Sequence, residues 1–256
     1  MKVVSIIGTR PQYIKIKPLY DYFRDQNIQH VIIDTLQHYS DSVSKNIIDD
    51  LNLKIDHQVE VRPTTELGFI AHTTVRLEKL LLREKPNVVL VFGDTNSSFC
   101  ASLVCYKLKI PVCHVEAGLR ANDKTIPEEI NRIFIDPVSS INFCSTSNVL
   151  QNVDNAVFCG DLEYELLNNL DPEIEYQDFG VMTIHRQLNC NKDRLAMILE
   201  FCSQLDTKIV FPAHHRIKPL LRGLTVPENI KIVEPLPYSE MVEHLAKCLF
   251  VITDSG

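Results

Sequence analysis

The sequence predicts an α/β protein built on parallel sheets, arranged as two doubly wound, Rossmann-like domains of which the second is incomplete. Three observations carry that prediction. Short apolar, β-branched runs alternate with longer amphipathic stretches along the 256 residues. The runs are apolar throughout instead of at every second position, the pattern of strands covered on both faces. The alternation weakens once, through an acidic polar stretch at 168–178, and then resumes. Right-handed crossovers between parallel strands give the doubly wound arrangement. The expected domains are 1–165 and 178–256, joined by that stretch as a linker.

In the first domain strands are expected at 3–7, 31–35, 88–92, 112–115, 141–144 and 156–159. Helical patterns fill the spaces between them at 11–24, 66–84, 97–108 and 127–135. Pro11 and Pro127 stand at helix starts, where a missing N–H costs nothing. The second domain reads as strands at 181–184, 208–211, 230–233 and 249–252, with helices at 194–205, 217–221 and 240–246. Four strands are fewer than the first domain has, so this domain is expected to be small or lacking a part.

Composition narrows the function. The apolar fraction of 45% and the charged fraction of 23% are ordinary globular values. A net charge of −7, no basic run and no Trp argue against broad nucleic-acid binding. An anionic substrate would need a local cluster of cations. The eight Cys form no CxxC pair and sit mostly in apolar runs, which fits free, buried thiols in a reducing compartment. The first apolar run is too short for a signal peptide, and none approaches the roughly 20 residues that span a bilayer. A cytoplasmic protein with no membrane partner is expected.

In open parallel sheets ligands bind beyond the carboxyl ends of the strands, so the polar residues there carry the argument. Gly8-Thr9-Arg10-Pro11 follows the first strand, with Lys15 one turn into the helix; Arg10 and Lys15 suit a phosphate at a helix N-terminus, or are surface cations. Gly93-Asp94-Thr95 follows the third, where Asp94 is a helix cap or a working acid. Glu116, in His114-Val115-Glu116-Ala117-Gly118-Leu119-Arg120, ends an apolar run and needs a cationic partner or a task.

Pro127-Glu128-Glu129-Ile130-Asn131-Arg132 opens a helix: Glu129 suits the helix dipole, and Glu128 with Arg132 is spaced for an i,i+4 ion pair. His185-Arg186 and Pro212-Ala213-His214-His215 follow two strands of the second domain, without metal-ligand spacing to acids. There is no HExxH, GxGxxG, Walker A or GxSxG pattern, which disfavours those hydrolases, oxidoreductases and kinases. Each residue has a bland explanation; together, acids and cations at successive strand ends point to a site.

In order and spacing, these motifs resemble the non-hydrolysing UDP-N-acetylglucosamine 2-epimerases over the whole chain, with Gln37-His38 and Thr253-Asp254-Ser255-Gly256 added. The resemblance implies the two-domain architecture of GT-B glycosyltransferases, with a UDP-sugar between the domains. It implies acid–base roles for Asp94, Glu116 and Glu128. It gives Arg10, Lys15, Arg132 and His185 to holding the diphosphate or assisting its departure, His214 to the cleft, and Ser255 to a phosphate. No metal or redox cofactor is implied, and a homodimer is expected.

The implied chemistry needs these residue types. The proton on C2 has no carbonyl beside it to acidify it. Breaking the anomeric C–O bond as the proton leaves makes removal feasible: UDP is eliminated and re-added with a proton on the other face. A carboxylate base, an acid and cations for the departing diphosphate are required. Three departures stand out. Gln12 replaces a Glu of well-known members and precedes Tyr13, as in the branch acting on diacetamido-uronic sugars. Leu188 replaces the Glu of a His-Arg-x-Glu-Asn run. The family's second glycine, its acidic pair for the uridine ribose and its closing helices do not follow Gly256, so a shortened or inactive nucleotide-sugar-binding remnant is a rival expectation. A hydrolysing epimerase is another.

Overall fold

The structure is a computed structural model; it describes residues 1–256 apart from 38–40, 62–64, 187, 214–216 and 256, and apart from the side chains of 41–44. The chain divides into two compact units, Met1–Asn169 and Leu170–Gly256.

The first unit runs β1 (Lys2–Ile7), α1 (Arg10–Asp25), β2 (Gln29–Asp34), α2 (Asp41–Asp50), β3 (His57–Gln58), α3 (Glu66–Glu84) and β4 (Val88–Phe92). It continues with α4 (Asn96–Leu108), β5 (Val112–Val115), α5 (Pro127–Val138), β6 (Ile141–Cys144), β7 (Ala156–Phe158) and α6 (Leu162–Leu170). Among the described residues its sheet has seven strands in the order β3-β2-β1-β4-β5-β6-β7. Every pair is parallel. The order reverses between β1 and β4, so the loops that follow those two strands lie side by side. That is where a doubly wound sheet opens a crevice.

Apolar strands and the inner faces of helices account for the core. Val4, Ile6, Val31, Ile33, Val89 and Val91 from the sheet pack with Leu77, Leu81, Cys100, Ala101, Val104 and Cys105 from α3 and α4. Burying each such branched side chain contributes about 1.5–3 kcal/mol. Helix starts are capped as their residues demand. Thr65 Oγ1 accepts from Gly68 N at 3.0 Å, and Thr95 Oγ1 from Ser98 N at 3.2 Å. α3 and α4 end on Lys85 and Lys109 in left-handed conformations.

The second unit runs β8 (Phe179–Thr183), α7 (Lys192–Ser203), β9 (Lys208–Pro212), α8 (Lys218–Leu221), β10 (Ile230–Val233), α9 (Tyr238–Lys247) and β11 (Phe250–Thr253). Among the described residues its sheet has four parallel strands in the order β10-β9-β8-β11, so this sheet reverses between β8 and β11. Met182, Leu195, Leu199, Ile209 and Phe211 form its core.

The α/β class with two parallel sheets is as the sequence predicts. Some local structure is not. α2 and the two-residue β3 have no counterpart in the sequence reading. α6 takes up the residues after Gly160 and reaches into the expected linker as far as Leu170, with Leu166 buried. All eight cysteines are free; Cys100, Cys105, Cys113, Cys144, Cys202 and Cys248 are buried, Cys190 is half-buried and Cys159 is exposed. Among the described residues no helix is long and apolar enough to cross a membrane.

Candidate active site

The crevice at the β1/β4 reversal is built first from backbone. Gly8 is required by close approach: a Cβ there would overlap Thr35 Oγ1 and Ser97 Oγ. The Gly8–Thr9 turn is then tied to the β4–α4 turn by one buried side chain, Gln12. Its Oε1 accepts from Gly8 N at 2.8 Å and Thr9 N at 3.1 Å. Its Nε2 donates to the Phe92 carbonyl at 2.6 Å and to Thr95 Oγ1 at 3.0 Å. Only a neutral carboxamide accepts at one end and donates at the other in this way. Gln37 Oε1 accepts from Ser97 N at 2.9 Å and fixes the start of α4 from the other side.

Charges line this frame in pairs. Lys15 on α1 donates to Glu116 Oε2 just after β5, and Arg132 on α5 donates to Asp94 Oδ2 just after β4. Glu116 sits at φ 69°, a left-handed conformation that costs a non-glycine residue about 1–2 kcal/mol. Gly93, at φ 60°, leaves room for it: a Cβ there would stand 3.3 Å from Glu116 Oε2. Asn131 Nδ2 donates to the Asp94 carbonyl at 2.8 Å, so α5 holds both ends of that residue.

A cavity of about 180 Å³ is lined by Thr9, Lys15, Asp94, Glu116 and Arg132. A second of about 240 Å³ shares Thr9 and Asp94 and adds Glu128 and Asn131. Asp94, Glu116, Lys15 and Arg132 are therefore brought together, with Glu128 across Asp94. Arg10, beside Thr9, is exposed and has no carboxylate partner among the described residues.

Three details correct or extend the sequence reading. Glu128 and Arg132 do not pair; Arg132 turns to Asp94 and, at 3.4 Å, to Glu129. Glu129 is no mere dipole stabiliser, for it is buried and accepts from the amides of Ala121 at 2.8 Å and Asn122 at 3.2 Å. Those amides and Arg132 hold its carboxyl below the usual carboxylate range. Glu163 on α6 lies 3.8 Å from Lys15 Nζ, its carboxyl raised by burial despite Lys15, with Asp161 and Glu116 adding to the rise. Glu163 has no place among the residues the sequence singled out, and Gln12 enters there only as a departure from the family pattern. The spacing Thr9-x-x-Gln12, a capping-box signature, is the signal that points to Gln12.

In the second unit His185 stands just after β8 and Ser255 just after β11, both exposed. Asp254 organises this tip. It accepts from His185 N at 3.0 Å, Arg186 N at 2.9 Å and Asn189 Nδ2 at 3.1 Å. His185 Nδ1 is 3.0 Å from Asp254 Oδ1. Burial works to raise the Asp254 carboxyl, yet Asn189, the two amides and His185 keep it below its ordinary value. Leu188 is exposed and leaves the loop to Asn189. His38 and His214 lie outside the described residues. Among the described residues no group of three or more His, Cys, Asp or Glu could hold a metal ion.

With this geometry in hand, comparison with known proteins identifies the lineage. The family model for UDP-N-acetylglucosamine 2-epimerase matches residues 21–256. The chain belongs to that family. A UDP-N-acetylglucosamine 2-epimerase homolog of Methanococcus maripaludis is 34% identical over 283 residues, covering 100% of this chain and 79% of the relative. The UDP-2,3-diacetamido-2,3-dideoxy-D-glucuronate 2-epimerase of Pseudomonas aeruginosa is 32% identical over 278 residues, covering 100% of this chain and 78% of the relative. The Methanocaldococcus jannaschii UDP-GlcNAc 2-epimerase structure in complex with UDP-GlcNAc and UDP superposes with a TM-score of 0.80 at 33% identity. That match covers 100% of this chain and 79% of the solved one.

Proposed function

We propose that this 2-epimerase family member inverts C2 of a UDP-N-acetylhexosamine, interconverting UDP-GlcNAc and UDP-ManNAc by elimination and re-addition of UDP. One observation carries the reading: two carboxylates, Asp94 and Glu116, line one cavity, each held by its own cation. One carboxylate takes the C2 proton as the C1–O bond breaks and the electron pair leaves with UDP; on re-addition a carboxylic acid delivers a proton to the opposite face. Glu128 is the third acid within reach of this exchange. Lys15, Arg132 and Arg10, which has no carboxylate partner among the described residues, offset the charge gathering on the departing diphosphate. His185, His214 and Ser255 are assigned to the nucleotide side. We infer a cytoplasmic homodimer, for which Leu67, Val75 and Leu82, exposed along α3, supply apolar contact area.

A second reading, C2 epimerisation of a diacetamido-uronic UDP-sugar, is favoured by the Pseudomonas relative and by the neutral Gln12 at the crevice. The purified chain is incubated in D₂O with each UDP-sugar and followed by NMR. The C2 epimer carrying deuterium at C2 is expected from UDP-GlcNAc. Deuterated epimer from the uronate alone selects the second reading, stoichiometric free UDP selects a hydrolysing enzyme, and no exchange with either substrate sinks both epimerase readings.

A further inference from the structure

We infer that His114 donates through both ring nitrogens, to Asp136 and to the Gly93 carbonyl, and so fixes the Gly93–Asp94 turn as a positioning residue for the acid–base group; that last step rests on the reading of Asp94 above. His114 lies on β5 and is wholly buried. Its Nδ1 is 2.6 Å from Asp136 Oδ1 and its Nε2 is 3.0 Å from the Gly93 carbonyl oxygen. A carbonyl has no proton to give, so Nε2 must carry one.

The protonation of Nδ1 depends on Asp136. Arg120 Nη1 stands 2.6 Å from the other carboxylate oxygen, an ion contact outside hydrogen-bond angles. Burial works to raise the Asp136 carboxyl, but His114 and Arg120 outweigh it and hold it below the ordinary value. Asp136 is thus an ionised acceptor, and Nδ1 carries a proton as well. A nearby thiol does not upset this count: Cys144 on β6 is raised by burial and by the Asp136 charge and remains neutral.

The consequence falls on one peptide. Gly93 donates its N–H to the Val115 carbonyl at 2.9 Å while its own carbonyl accepts from His114. The Gly93 residue, in its left-handed conformation, is therefore clamped to β5 from both sides. Asn131 and Arg132 tie the following Asp94 to α5, the helix that also carries Asp136. Losing the His114 donor frees one side of the clamp and lets the Asp94 carboxylate drift.

The test reads the ring directly. In ¹⁵N-labelled, ligand-free full chain, both His114 ring nitrogens are expected to carry protons, as the two donations require. A single protonated nitrogen at neutral pH overturns the assignment, whatever the enzyme's substrate proves to be. Asp136→Asn, which removes the carboxylate acceptor, should change the Nδ1 signal and leave the Nε2 signal in place. His114→Gln should lower kcat on the order of 10²-fold with KM within about threefold, the cost of a small misplacement. A folded His114→Gln variant with parental kcat overturns the positioning role, and should that variant not fold, the ¹⁵N spectrum decides.

Discussion

The two units end their parallel strands on the same kind of residue and use it differently. In the first, Asp94 and Glu116 face long, flexible cations, Arg132 and Lys15, across a cavity. In the second, Asp254 is filled by the backbone amides of His185 and Arg186 and by Asn189. Partly exposed ion pairs are worth about 0–1 kcal/mol, so a substrate can displace the cations at little cost. Charge-assisted bonds to fixed amides contribute on the order of 1.5–3 kcal/mol and are not surrendered. The first tip leaves its acids to side chains that can move, and the second holds its loop still.

Removing the exchangeable acid should have the largest effect. Asp94→Asn is expected to lower epimerisation on the order of 10³-fold while UDP binding, followed by calorimetry, stays within a few-fold. Parental turnover would erase the proposed contrast between the tips. Acid should next separate the units. His30 is half-buried in the first unit and its pKa is lowered to about 4, by desolvation first and with Asp56 opposing. A histidine that is neutral when folded and charged when unfolded loses stability as pH falls from about 6.5, with the full loss, on the order of 3 kcal/mol, reached near about 4.

Asp254 acts later. Its folded value lies below the unfolded one of about 3.9, so its contribution is intact above about pH 5 and fades only as pH falls through the folded value. Hydrogen exchange should therefore show the first unit loosening before the second on acidification, with His30→Phe removing the difference. At neutral pH, Asp254→Ala should destabilise the second unit by about 2 kcal/mol in denaturant, leaving amides without acceptors. The smallest effect sharpens the contrast most. Glu116→Gly removes an ion pair but relieves a left-handed backbone, so stability should be unchanged or up to about 1 kcal/mol higher while activity is lost. A loss of stability beyond about 2 kcal/mol would show Glu116 to be structural.

Much of this was legible in the sequence, since parallel strands buried on both faces announce themselves by composition. The polar residue after each strand follows from chain direction alone, which is how Asp94 and Glu116 could be picked out, while Lys15 and Arg132 are reached through the helices that follow. Partnerships were not legible. The i,i+4 spacing of Glu128 and Arg132 invites a local pair, yet Asp94, distant in sequence, takes the arginine instead. Glu129 obeys the dipole rule and also turns inward to hold Ala121 and Asn122, which only tertiary packing decides. Gln12 stands out in the sequence as a departure, but its tie to Phe92 and Thr95 needs the sheet order that sets β4 beside β1. α6 escapes notice because its short amphipathic pattern lies beside an acidic stretch, and Glu163 goes with it.

The exposed sulfur of Cys159 has a practical consequence. Thiol-directed dyes attack the thiolate, and desolvation together with Cys144 and Asp161 raises this thiol, so coupling at neutral pH is slow. The six enclosed cysteines are slower still, and half-buried Cys190 is the competitor to monitor. Cys159 precedes α6, the helix bearing Glu163. A fluorophore attached there, in the native sequence, becomes an optical gauge of events around Lys15.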